Sequence, residues 1–298
     1  MLTRRQFAGT LLAGAAASAL RADGPAGPRL AVSTWSFHNY FPNTRYGNPQ
    51  FKLEEWRIED VIRRAKQDLD IDAFEVSSAH LASQENKYLD DLKEFVRMQN
   101  CRLIHLSDNV RGLNLAAPDA QAREEATRTF ERLIGVAQRL GIPSMRVNTG
   151  TPDPKMQWDM ETTIASFRRL SRYAKERGVE IVIENHFGIS ADPRNVVRII
   201  EAVNDNISSC PDFGLFRNDE ERWTGLPLML RHCKRIVSAK FHGLDNENRH
   251  AAFDLERCWR MMRESKFTGY ASLEYEGNLE PMPQLRRMAQ LARKWLAA

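Results

Sequence analysis

The sequence predicts an α/β protein, a closed (β/α)8 barrel in a single domain. Three observations predict it. Strand-like runs alternate with amphipathic helical runs eight times along the chain. The connections between them are short, which favours a closed barrel over an open doubly wound sheet. Four consecutive strands in the second half each end on a ligand-type residue, Glu184, Asp212, His242 and Glu274, separated by 28, 30 and 32 positions. That spacing is about one βα unit. The C-terminal strand ends form the mouth of such a barrel, where its chemistry sits.

In chain order, strands are expected near 30–36, 71–77, 102–107, 143–149, 179–185, 207–213, 236–242 and 270–276. Helices are expected near 56–68, 86–99, 119–140, 159–177, 192–204, 222–234, 253–266 and 280–296. The turn after the first strand reads Trp35-Ser36-Phe37-His38. A dinucleotide-binding fold needs a Gly-rich turn there, so that fold is excluded. The connection 39–55 is rich in Tyr, Phe, Asn and Pro and overlies the mouth as a lid, a substrate wall or a packed surface loop. Leu133, Val136, Ala137 and Leu140 carry the helical period in the third helix. Gly141 and Gly178 stand where helix C-caps belong. Asp192-Pro193 reads as an N-cap followed by proline at the first helical position.

The chain starts Met1-Leu2-Thr3-Arg4-Arg5-Gln6-Phe7-Ala8, followed by a small apolar run from Gly9 to Leu20. Paired arginines before such a run read as a twin-arginine export signal over residues 1–22, with the barrel over 29–298. The run is shorter than the roughly 20 residues of a membrane-spanning helix. Ala17-Ser18-Ala19 and Ala22 offer cleavage sites, and no Cys follows to carry a lipid. The expectation is a periplasmic or extracellular protein with no membrane attachment once the signal is removed. The formal charge of +4 falls to +2 without Arg4 and Arg5, and to +1 without Arg21 as well. That is not the field of a nucleic-acid binder. Cys101, Cys210, Cys233 and Cys258 show no C-x-x-C spacing and read as buried small hydrophobes. Cys233 with Cys258 is the best-placed pair if export oxidises any.

The four strand ends in full are Ile181-Val182-Ile183-Glu184-Asn185-His186, Ser209-Cys210-Pro211-Asp212-Phe213-Gly214, Ser238-Ala239-Lys240-Phe241-His242 and Ala271-Ser272-Leu273-Glu274-Tyr275-Glu276. Together they resemble the sugar phosphate isomerase/epimerase family of the xylose-isomerase-like TIM barrels, over about residue 29 to the end. The resemblance implies one divalent metal ion, Mn, Mg, Co or Zn, held by Glu184, Asp212, His242 and Glu274. Carboxylates with a single imidazole suit such ions. It also implies that Glu184 and Glu274 are catalytic, exchanging a proton on opposite faces of a sugar carbon. Arg249 resembles a substrate-binding arginine of the family. The chain departs from the pattern at Leu215, where many epimerases carry a His, and at Lys240-Phe241-His242, which stands for an H-x-H pair. Side-chain alternation puts Lys240 on the same side of its strand as His242.

The expected function is a metal-dependent isomerase or epimerase of a non-phosphorylated sugar or keto-sugar. It would abstract a proton next to a carbonyl and pass through an enediolate. His186 and Lys240 would contact substrate or donate a proton. His105, Glu75 and Trp35 are further candidate contacts, each equally readable as a packed residue. Glu276 reads as a rim residue, and His232 and His250 as surface residues. A carbon–oxygen lyase or dehydratase acting on oxidised sugars such as 3-keto-glycosides shares the first step and stays open. So does a non-catalytic sugar-binding barrel. A DNA-repair endonuclease of the same superfamily would need further histidines that are missing here. The expected partner is a small carbohydrate, with a homo-oligomer as the family's common assembly.

Overall fold

The computed structural model describes residues 27–108, 110, 112–150, 155 and 157–297, so the expected export signal lies outside the described residues. Among the described residues eight strands are present: β1 (Arg29–Ser33), β2 (Ala73–Ser77), β3 (Arg102–Ser107), β4 (Ser144–Arg146), β5 (Glu180–Glu184), β6 (Ile207–Cys210), β7 (Ile236–Phe241) and β8 (Tyr270–Tyr275). They alternate with α1 (Ile58–Leu69), α2 (Asn86–Met98), α3 (Ala120–Leu140), α4 (Met160–Lys175), α5 (Pro193–Val203), α6 (Asp219–Leu230), α7 (Leu255–Glu264) and α8 (Pro281–Ala297). All paired strands are parallel, in the order β6-β5-β4-β3-β2-β1-β8-β7. This is a nearly closed (β/α)8 TIM barrel in one domain.

The last gap, between β6 and β7, is bridged at one position, Asp212 with Ser238. There Phe213 N–H donates to the Ser238 carbonyl at 3.1 Å and Ser238 N–H donates to the Pro211 carbonyl at 3.0 Å. Pro211 has no N–H to extend the ladder. The seam therefore lies beside one of the expected site residues.

The core has two parts. Helix faces pack on the outside of the strands in one large apolar cluster that includes Phe130, Phe167, Phe213 and Trp259. Inside, Ala31, Ala73, Ile104, Val182, Cys210 and Ile236 fill the base of the barrel. Strand period two then places polar residues above them: Glu184 lies two positions after Val182, and Glu75 two after Ala73. A register shift between Phe74 and Glu75, which pairs Glu75 with His105, brings β3 into the same inner layer.

The caps follow their residue types. The Asp192 carboxylate accepts the Arg194 N–H at 2.9 Å, with Pro193 at the first helical position. Gly141 closes α3 at φ 74, whereas α4 ends on Glu176 and Gly178 turns the chain two residues later at φ 68. All four cysteines are free, Cys210 and Cys258 buried and Cys101 and Cys233 partly buried. Among the described residues no helix is long and apolar enough to cross a membrane.

Candidate active site

The strand ends surround a cavity of about 420 Å³, lined among others by Trp35, Tyr46, Arg146, His186, Lys240, Glu274 and Glu276. Two buried cations organise it. Lys240 projects from the end of β7. Its Nζ lies 3.0 Å from Glu274 Oε1, 3.1 Å from Glu276 Oε2 and 3.3 Å from Asp212 Oδ2. The Ser238 hydroxyl lies 3.1 Å from both Asp212 Oδ2 and Glu274 Oε2, and donates to one at a time. Arg146, at the end of β4, donates from Nη1 to Glu184 Oε2 at 2.7 Å and from Nη2 to the Asp108 carbonyl at 2.9 Å. The buried Asp108 carboxylate in turn accepts the Asn148 N–H at 2.6 Å.

Burial and these pairings set the protonation. Burial pushes Glu184 up to about 8 against the pull of Arg146, and Asp212 up to about 6 against Lys240. Burial alone would lower Lys240, but Asp212, Glu274 and Glu276 outweigh it and hold the ammonium well above its ordinary value. Glu276 falls to about 2. Burial opposes that drop, and Lys240, the Tyr46 hydroxyl at 2.8 Å and the Trp35 indole N–H at 2.5 Å overcome it. His186 is pushed well below its usual value by burial, then by Arg146 and Lys240, so its ring is neutral. Its Nε2 lies 3.9 Å from Glu184 Oε2, and its buried Nδ1 has no hydrogen-bond partner.

Several sequence expectations meet here and others do not. Glu274, His186, Lys240 and Trp35 line the cavity, and Glu184 and Asp212 lie buried behind it against Arg146 and Lys240. Glu75 and His105 sit beneath it, outside the cavity lining. Glu75 accepts the Ser272 hydroxyl at 2.6 Å, and His105 Nδ1 lies 2.8 Å from Ser144 Oγ. The placement of His242 is a correction. The extended strand stops at Phe241, and Gly243 turns the backbone at φ 150. His242 is therefore exposed, with its backbone N–H on His250 Nε2 at 3.2 Å. His250 is buried rather than superficial. Arg249 is also corrected: it is exposed and paired at 2.9 Å with both Asp245 and Glu247, off the cavity.

Sequence reasoning missed Arg146 and Asp108, and undervalued Glu276 and Tyr46. Arg146 left one signal, a charge two residues after Ser144 inside a strand that the fold must bury. Tyr46 comes from the 39–55 connection, which forms a wall of the cavity.

The four residues expected to share a divalent ion do not form one donor set. Glu184 is held by Arg146, Asp212 and Glu274 by Lys240, and the His242 ring lies 3.4 Å from His250 Nε2. Among the described residues no group of three or more His, Cys, Asp or Glu side chains is placed to hold an ion.

A model of the family described as "Xylose isomerase-like TIM barrel" matches residues 62–297. No curated protein matches the chain in sequence. Among solved structures, D-psicose 3-epimerase with D-tagatose from Clostridium cellulolyticum H10 is similar at a TM-score of 0.66 and 14% identity, covering 90% of this chain and 98% of that one. The 3-keto-D-glucoside 4-epimerase of E. coli gives 0.65 and 14%, covering 91% and 99%. A xylose isomerase-like TIM barrel protein from Mycobacterium smegmatis in complex with magnesium gives 0.61 and 15%, covering 91% and 98%. At these identities the likeness is one of fold.

Proposed function

Because the chain belongs to the xylose isomerase-like TIM barrel family, we propose that it is an isomerase or epimerase of a non-phosphorylated sugar or keto-sugar. It removes a proton beside the carbonyl and returns one to the resulting enediolate. One observation carries the reading. Two buried glutamates, Glu184 and Glu274, stand on strands β5 and β8, with two strands between them, and each is backed by a buried cation. Glu274 opens directly onto the cavity, while Glu184 reaches it through its partners Arg146 and His186. A sugar in the cavity would meet Glu274 directly and Glu184 by way of His186, which gives an epimerisation two proton-transfer routes. Burial raises Glu184 to about 8, into the range where general acid–base catalysis works. The named epimerases among the similar folds support this class of reaction.

The chain's own residues divide the work. Glu274 takes the proton and Glu184, protonated below about 8, returns one from the other side. Arg146 fixes Glu184 by its second bond to the Asp108 carbonyl. Trp35 and Tyr46 offer aromatic faces to the sugar ring. The neutral His186 supplies a ring nitrogen to a hydroxyl. No step here is assigned to the divalent ion that the resemblance implied, because its expected ligands are engaged by Lys240, Arg146 and His250. The twin-arginine pattern supports an exported enzyme, and unphosphorylated sugars are what such an enzyme meets. A lyase outcome of the same enediolate is favoured by one feature, the Lys240 ammonium in the cavity, which can protonate a departing β-oxygen.

The test is solvent deuterium uptake by ketohexoses and 3-keto-glucosides, followed by mass spectrometry. Wild type should place one deuteron beside the carbonyl. Glu274→Gln should lower the rate about 10²–10⁴-fold. An unsaturated product absorbing in the ultraviolet would select the lyase reading. No uptake into any keto-sugar would sink both.

A further inference from the structure

We infer that the cation at the centre of this mouth is the Lys240 ammonium itself, built into β7 in place of a divalent ion, and that it receives the oxygen on which negative charge develops. The second half of the inference rests on the proton-transfer reading above; the first half does not.

Three independent features place the ammonium there. An ammonium has three N–H donors, and each finds one carboxylate oxygen, on Asp212, Glu274 and Glu276, within 3.3 Å. Two further donors serve the would-be ligands. Asp212 Oδ1 accepts the Gly214 N–H at 2.7 Å, and Ser238 serves Asp212 Oδ2 or Glu274 Oε2. Second, the chain makes room for the lysine stem. A Cβ at Gly214 would stand 3.0 Å from Lys240 Cδ and 3.1 Å from Cγ, so a side chain at that position would crowd it. Third, β7 aims Lys240 and not His242 into the mouth, in register with Glu274 on β8. The His242 backbone N–H donates to His250 Nε2 at 3.2 Å, and its ring Nδ1 lies 3.4 Å from the same nitrogen, so that imidazole is engaged by His250.

The chemistry balances without another reactant. The substrate C–H proton passes to a glutamate carboxylate. The C–H electron pair becomes the C=C bond of the enediolate, and the carbonyl π pair moves to oxygen. That oxyanion accepts an N–H of Lys240, which stays an ammonium. Reprotonation reverses the flow. Glu276 is the carboxylate that yields its place to the substrate oxygen, since Trp35 and Tyr46 still hold it. A fixed charge in a site with little water stabilises such an oxyanion without reorganisation.

The test begins with the full chain purified without chelator. Metal analysis and a manganese titration, followed by paramagnetic resonance and by melting temperature, should show no bound ion and no shift in wild type at millimolar manganese. Lys240→Ala, which empties the centre among three carboxylates, should gain a manganese-dependent rise in melting temperature. Stoichiometric binding by wild type would overturn the inference. With a keto-sugar that takes up deuterium, chelator should leave the rate unchanged. Lys240→Gln should lower it about 10²–10³-fold, with an unaltered circular dichroism spectrum. Chelator-sensitive uptake would overturn the inference while leaving the proton-transfer reading intact. If no keto-sugar takes up deuterium, that reading fails, and the manganese titration still decides which cation holds the centre.

Discussion

Arg146 shows what a single buried charge does in this mouth. It is 5% exposed and donates to Glu184 at 2.7 Å and to the Asp108 carbonyl at 2.9 Å, so removing it leaves two buried acceptors without that donor. Arg146→Met should cost about 1–3 kcal/mol of stability, read from urea unfolding of the full chain. Glu75 and His105, paired in register beneath the mouth, carry opposite pH signatures. Burial raises Glu75 to about 7, while an unfolded glutamate titrates near about 4.3. The folded state keeps that proton longer, so its contribution is complete below the unfolded value and declines as pH rises through about 7. Burial lowers His105 to about 3, below the unfolded value of about 6.5. Its contribution is present above the unfolded value and is lost as pH falls toward about 3. Urea midpoints across pH should show Glu75→Gln removing a downward slope between about 4 and 7. His105→Asn should remove an upward slope between about 3 and 6.5. Unchanged profiles would mean these groups are solvated in the folded state.

At the scale of elements, most boundaries were legible because apolar period and caps agree. Asp192-Pro193 opens α5 as its residue types require. α6 was expected at 222–234 and runs Asp219–Leu230. Its first turn, Asp219-Glu220-Glu221, has no apolar residue to reveal it, yet Asn218 caps it by accepting the Glu221 N–H at 2.9 Å. β1 stops at Ser33, whose hydroxyl accepts the Trp35 N–H and starts a 3-10 turn over Thr34–Tyr40. Helix packing also has its own constraint. A Cβ at Gly225 of α6 would stand 2.5 Å from Pro193 Cγ of α5 and 3.0 Å from Phe216. Gly225→Ala should therefore destabilise by about 1–3 kcal/mol, although alanine is the better helix former. A higher melting temperature would show that α5 and α6 can part without cost.

The barrel as a whole has one weak seam. β7 and β8 pair over six consecutive positions, Ile236–Phe241 with Tyr270–Tyr275, whereas β6 meets β7 only through the Asp212–Ser238 bridge. Hydrogen exchange should therefore release the amides of Phe213 and Ser238 before those of the β7–β8 ladder, since few bonds must break to open them. Equal protection would mean that the Lys240 cluster, which spans β6, β7 and β8, holds the seam shut by itself. The weak ladder and the ion cluster share a location, so the seam's stability and the site's geometry depend on the same side chains.

Eight βα units and their order were readable from the sequence alone, because periodicity and capping are local properties of the chain. The convergence of Glu184, Asp212 and Glu274 at one mouth was readable too, since strand ends of such a barrel must meet. What only the tertiary structure decided was which cation each carboxylate faces. Lys240 and His242 look equivalent under strand alternation, but the strand ends between them, and one turn of backbone separates a central residue from an exposed one. Arg146 lies 38 positions before Glu184 and meets it only because adjacent strands β4 and β5 pair in register. Charge pairing across strands depends on register and burial, and neither is a property of a local stretch of sequence.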